Sequence, residues 1–310
     1  MKNKYVVSVI LAGSLWGFMG FFRRTLDAMG VSAIGCIAVR CSFAAVLFGV
    51  VLLVSGRSAF KIHLKDVWIF IGSGIVSLLI FGVCYFKAMD YMSLSAAAIL
   101  LYTAPCFVIL FSALLFKEKL TAQKLIAMVL AFAGCCLVSG IGGGARITPV
   151  GLALGLTAGV CYALYSIFSR FALNRGYSSL TINFYSCLLA AVGATMIGGT
   201  EYLDIITQTV PNFGFAFATG LVTCFMPYLL YTRGLEGLEN GKASIMASVE
   251  PVVATIVGVV IYKEALTAMS AAGIVLVLHC LQKLLAVELD QSREVIGRSK
   301  NVVNNVLIEP

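Results

Sequence analysis

Apolar residues fill this chain in long continuous blocks broken by short polar loops, without the period-two alternation of a half-buried strand. Ten spans can be read, at about 5–22, 31–54, 67–86, 94–116, 121–140, 150–169, 179–198, 213–232, 243–262 and 266–285. A helix needs about 20 residues to cross a hydrocarbon core about 30 Å thick, and the blocks are of that order. Lipid admits only helices or closed barrels, because no water is there to satisfy an open backbone, and the missing alternation removes the barrel.

The pattern also repeats. Leu101-Tyr102-Thr103-Ala104-Pro105, an apolar run to Phe116, and Lys117-Glu118-Lys119-Leu120-Thr121 have a second copy in Ala247-Ser248-Val249-Glu250-Pro251, an apolar run to Tyr262, and Lys263-Glu264-Ala265-Leu266-Thr267. Both landmarks give one offset, 146 residues, which also pairs Gly13 with Gly159, Arg24 with Arg170, Gly30 with Gly176 and Cys41 with Cys187. A fixed offset marks a duplicated unit. Five spans per unit is an odd number, so the second unit must enter the membrane upside down relative to the first. The expected fold class is an all-α membrane protein with ten transmembrane helices in two inverted five-helix repeats. Its units are residues 1–140, a glycine-rich linker at 141–149, residues 150–285, and a polar tail at 286–310.

Composition strengthens this reading. The chain is 60% hydrophobic and only 12% charged, against roughly 25% charged in a soluble domain. All ten cysteines fall inside the apolar spans, where they act as small hydrophobes, and no Cys-x-x-Cys pair or neighbouring histidine suggests a metal. The net charge of +8 does not imply nucleic acid as a partner, since no polar segment is long enough to form such a domain. It reflects topology instead. With the N-terminus in the cytoplasm, sixteen of the 22 basic residues lie on that side and five (Arg23, Arg24, Lys87, Arg146, Lys263) on the other, leaving Arg40 within a span. By the positive-inside rule both termini are cytoplasmic. The first span has no small-residue cleavage site behind it and reads as a retained helix rather than a signal peptide.

Candidate chemistry lies at the few polar breaks in the spans. Pro105 and Pro251 each remove a backbone donor and free a carbonyl four residues earlier, at Leu101 and Ala247. Such interrupted helices line transporter substrate sites, while a kink filled by a neighbouring hydroxyl is the structural alternative. Glu250 is the one carboxylate deep in a span, with Ala104 as its repeat mate. It can exchange a proton, bind a cationic group, or sit in a fixed ion pair. Arg40 is the matching buried cation, suited to a substrate carboxylate or to pairing with Glu250. Trp16 and Tyr162 are repeat mates on glycine-rich spans, and Tyr102 precedes the first kink; these are the favoured aromatic lining residues, against the ordinary alternative of an interfacial belt. Gly13/Gly17 and Gly151/Gly155/Gly159 have the small-x-x-x-small spacing of closely packed helices. In the two Lys-Glu pairs, the glutamate suits a cap on the helix that follows. Gly237 to Lys242 only superficially resembles a phosphate-binding loop, and no catalytic triad or zinc set can be assembled from His63 and His279.

Taken together, Leu15-Trp16-Gly17, Arg40 in an Ala-x-Arg setting, Pro105 with its Lys-Glu-Lys-Leu-Thr, and Glu250-Pro251 with its Lys-Glu-Ala-Leu-Thr resemble the EamA-like branch of the drug/metabolite transporter superfamily. The likeness runs to about residue 285. It implies two inverted five-helix repeats, a central cavity built mainly from helices 1, 3, 4, 6, 8 and 9, peripheral helices 5 and 10, and passage of small metabolites, amino acids or drugs.

The expected function is thus a secondary transporter in a bacterial cell membrane, possessing no enzymatic activity and no cofactor. Its expected partners are a small-molecule substrate and the lipid bilayer, with a homodimer left open. A receptor or sensor subunit that binds without transport is the alternative. The topology has a direct test. With the native cysteines replaced, an impermeant maleimide is expected to label Lys263→Cys from outside and Lys119→Cys only from the cytoplasmic face. Labelling of both from one face would remove the inverted arrangement.

Overall fold

A computed structural model describes residues 3–56, 60–139 and 148–286. Of the linker expected at 141–149, residues up to 147 lie outside the described residues, as does the tail beyond 286, while Thr148 caps the helix that begins at Pro149. Among the described residues, nine helices are long and apolar enough to cross a membrane. They are α1 (Asn3–Ala28), α2 (Ala33–Ser55), α3 (Leu64–Tyr91), α4 (Ser95–Phe116), α6 (Pro149–Asn174), α7 (Ser179–Gly198), α8 (Val210–Leu235), α9 (Asn240–Tyr262) and α10 (Ala268–Ala286). At the fifth predicted span stands α5 (Ala122–Val138), apolar but only 17 residues long. All ten cysteines remain free, and none is exposed.

Several helices run past the apolar blocks that predict them. The first span, expected to end near residue 22, breaks its regular winding at Gly17-Phe18 and continues to Ala28, where Arg23 and Asp27 pair at 3.0 Å one turn apart. Hydropathy ends where lipid ends, whereas backbone hydrogen bonding continues into the interface. A short helix, Glu201–Thr207, occupies the stretch between α7 and α8 that the sequence left as a loop. Its two acids fall in the first turn, where negative charge meets the positive end of the helix dipole.

The 146-residue offset reappears as local geometry. Lys117 and Lys263, at φ 56° and 58°, are the two non-glycine residues with positive φ among those described, and each ends its helix in the left-handed conformation. Gly30 and Gly176, at φ 92° and 81°, make the same turn before α2 and α7. Ser32 and Ser178 then accept from the amides of Gly35 and Thr181, and Thr121 and Thr267 accept from those of Lys124 and Ser270. Each is an N-cap that satisfies an otherwise orphaned donor. Winding recurs too: α3 becomes a π-helix over Gly72–Ile80 and α8 over Leu221–Phe225.

Packing exchanges partners between the halves. α2 lies along α7; α1 packs on α8 as α6 packs on α3; and α5 meets α10. Glycine permits the closest approaches. A Cβ at Gly13 would stand 2.8 Å from the Ala247 carbonyl oxygen, and one at Gly159 would stand 2.9 Å from that of Leu100. The close packing read from the glycine spacing is therefore real, and it sets α1 against the break in α9 and α6 against the break in α4.

Adding a methyl at Gly13 forces backbone apart, so Gly13→Ala is expected to destabilise by about 1–3 kcal/mol, the usual cost of overpacking. Gly20→Ala, with nothing within 4 Å, is the neutral control. Thermal unfolding in detergent reads both; equal unfolding temperatures would show that this contact yields freely.

Candidate functional site

Proline sets the break in each interrupted helix. It cannot donate, and its ring disfavours α geometry in the residue before it. In α4 the regular helix stops at Leu101 and resumes at Ala104, with Pro105 in its first turn. In α9 the chain tightens to a 3-10 turn over Ala247–Val249 and resumes at Glu250 with Pro251. The Thr103 hydroxyl donates to the Leu100 carbonyl at 2.6 Å, so part of the first break is filled locally. At the second break the Ala247 carbonyl, expected to be freed by Pro251, instead accepts from the Glu250 amide within the 3-10 turn, and it faces Gly13.

Between the breaks is a narrow cavity, with about 30 Å³ open to the centre of a water-sized sphere. That is room for about two waters. Its lining comes from α1, α3, α4, α6, α8 and α9, the six helices the resemblance implied. Trp16, Tyr102, Pro105, Tyr162 and Glu250 all line it; Arg40 and Pro251 do not.

Trp16 is the centre of the aromatic wall, its ring centroid 5.2 Å from Tyr228, 5.4 Å from Tyr231 and 6.2 Å from Tyr162. Most of these tyrosines have their hydroxyls held by the wall. Tyr165 donates to Asn183 Oδ1 at 2.5 Å and meets the Thr232 hydroxyl at 3.0 Å, while Tyr231 meets the Ser166 hydroxyl at 2.8 Å. Asn183 is fully buried and completes its bonding with the Ser179 carbonyl. Sequence reasoning missed it, although a lone amide inside an apolar span was visible. Glu250 accepts one side-chain hydrogen bond, from the Tyr162 hydroxyl at 3.4 Å.

Arg40 stands behind this wall. Its guanidinium donates to the Tyr228 hydroxyl at 3.3 Å and contacts the Met19 sulfur at 3.4 Å, while Nε has no partner. No carboxylate among the described residues lies within 4 Å of it, so the Glu250 pairing that the sequence left open is not formed.

Two charged contacts between helices correct one expectation. The glutamates of the Lys-Glu pairs do not cap the following helices; Thr121 and Thr267 do. Glu118 instead crosses to α9, accepting from the amides of Asn240 and Gly241 at 2.8 and 3.3 Å. Buried Lys124 lies 3.4 Å from Glu118 and 3.0 Å from Glu239, and Arg170 donates to Asn240 Oδ1 and to the Leu238 carbonyl. The repeat mates of Glu118 and Arg170, Glu264 and Arg24, form one ion pair at 2.8 Å with both side chains about half exposed. The sequence read Glu118 as a cap on the next helix; nothing local to it pointed to a partner 122 residues away.

A helical membrane protein with an aromatic, singly acidic cavity at two broken helices fits the class of membrane transporters. The chain is a member of the EamA-like transporter family, whose model matches residues 3–140 and again 149–280. Among its relatives, an uncharacterized transporter of Archaeoglobus fulgidus is 26% identical over 284 residues, covering 89% of this chain and 96% of the other. The uncharacterized transporters YxxF and YwfM of Bacillus subtilis are 25% and 24% identical, covering 84% and 89% of this chain and 82% and 92% of their own lengths. A crystal structure shares the fold with a TM-score of 0.76 at 18% identity, over 93% of this chain and 99% of that one.

Glu118→Ala removes the acceptor for two α9 amides. A loss of about 0.5–2 kcal/mol is expected, as for other helix-cap deletions. On a cysteine-free background, Ser244→Cys is expected to react faster with maleimide when Glu118→Ala is present. An unchanged rate would mean that Glu118 does not hold this side shut.

Proposed function

We propose that the chain is a secondary transporter that carries a small organic molecule through this cavity by alternating access, with Glu250 coupling the movement to a proton. The observation that carries the reading is the position of Glu250, a lone carboxylate in a cavity between two repeat-related closures. A site that opens to one face at a time needs a closure on each side, and Glu118 and Glu264 supply the related pair. Five spans in each of residues 1–140 and 150–285, joined through 141–149, support an inverted arrangement, and the basic residues support cytoplasmic termini.

In this reading Glu250 holds a proton when the cavity is empty and releases it when another partner takes its place. Arg40 supports the site from behind through Tyr228. Pro105 and Pro251 keep the backbone broken where the helices must flex.

Glu250→Gln keeps size and hydrogen bonding but removes the titration. In liposomes loaded with a substrate found by screening amino acids and their analogues, the variant is expected to retain exchange down a gradient. It is also expected to lose accumulation driven by a pH difference. Accumulation with unchanged pH dependence would make Glu250 structural, and binding of ligands without flux in the wild type would favour a sensor.

A further inference from the structure

Three thiols meet where α2, α7 and α8 pack, outside the cavity. Cys187 Sγ lies 3.7 Å from Cys224 Sγ, and the Cys41 thiol hydrogen-bonds the same Cys224 sulfur. All three are buried, and none lines the cavity. Cys41 and Cys187 stand at the 146-residue offset, so the duplication itself brings two sulfurs to the seam between α2 and α7. The π-helical turn Leu221–Phe225 of α8 adds the third. Sequence spacing hid the group, since 37 residues separate even Cys187 and Cys224.

Thiols that serve only as small hydrophobes need no charge beside them, yet Arg40 stands here. Its guanidinium reaches the Cys224 sulfur as well as Tyr228, and its Nε is buried without a partner. Glu250 acts on Arg40 through space, but no carboxylate among the described residues touches it. An anion placed against such a buried cation compensates its charge. Two thiols become that anion when they exchange their protons for one monovalent metal ion. The balance is 2 RSH + M⁺ giving [M(SR)₂]⁻ and two protons, and the single negative charge of the product matches the single positive charge of Arg40.

The ligands also narrow the metal. Sulfur selects soft ions such as copper(I). Among the described residues no three histidines, cysteines or carboxylates are placed to hold one ion together, so the four-ligand shell of structural zinc is not formed. Copper(I) and silver(I) accept two sulfurs in a line.

We propose that Cys187 and Cys224 bind one soft monovalent metal ion, copper(I) or silver(I), as a two-coordinate thiolate with Arg40 as its counter-ion and Cys41 as a supporting donor. A linear ion holds two sulfurs further apart than a thiol hydrogen bond does, so the pair opens slightly on loading. The bound ion ties α7 to α8 one turn before Tyr228, which lines the cavity. The site lies beyond the transport reading and does not depend on it.

The probe is copper(I), titrated without oxygen into the full-length protein in detergent against bicinchoninate, whose coloured complex reports the copper not taken up. Wild type is expected to take one more equivalent than Cys187→Ala or Cys224→Ala, while Cys106→Ala, on α4, matches wild type. Silver(I) is expected to displace that copper and excess zinc(II) to leave it in place. Arg40→Gln is expected to weaken the same equivalent about tenfold or more, with Arg40→Lys recovering most of the loss, because a nearby opposite charge favours the charged ligand set. Equal uptake by wild type and both alanine variants, or an equal loss in Cys106→Ala, would overturn the proposal. So would displacement by zinc, or an affinity unchanged by Arg40→Gln. Should the alanine variants fail to fold, anomalous scattering at the copper edge from crystals of loaded wild-type protein decides: the strongest peak between Cys187 and Cys224 supports the site, and the strongest peak elsewhere overturns it.

Discussion

A backbone that leaves regular helix inside an apolar span must find other hydrogen bonds, since lipid holds no water, and this chain breaks two such helices. Both breaks are tolerable only because protein, not lipid, lies against them. Gly13 and Gly159 bring the backbones of α1 and α6 against the breaks in α9 and α4. The site follows from that constraint. Where α4 and α9 cannot be regular, α1, α3, α6 and α8 gather around them and contribute the rings and hydroxyls that line the space.

What the sequence made legible is what the backbone dictates. Prolines mark breaks, glycines mark close approaches, and a 146-residue offset recovers even the paired left-handed residues Lys117 and Lys263. Trp16, Tyr102, Tyr162 and Glu250 were readable because a ring or a charge beside a break has few other uses. Side-chain partners across the fold were not readable. Nothing local to Glu118 points to the amides of Asn240 and Gly241, and nothing local to Arg40 points to Tyr228, since both depend on which helices become neighbours. Helix ends were missed for a different reason: hydropathy reports lipid contact, and α1 and α3 continue beyond it.

The two halves share a frame but not their chemistry. Ala104, fully buried, occupies the place that Glu250 takes in the second half, so a carboxylate stands on one side of the cavity and a methyl group on the other. A duplicated scaffold thus holds a single ionisable centre.

The closures differ in the same way. Lys124 has only 2% of its side chain exposed and sits with Glu118 in a network enclosed by protein, whereas Arg24 and Glu264 are about half exposed. Dissolved ions screen exposed charges over about 8 Å at physiological strength and reach enclosed ones far less. Brine would therefore slacken the Arg24–Glu264 pair well before the Lys124–Glu118 contact, giving the molecule one weathered joint and one sheltered one.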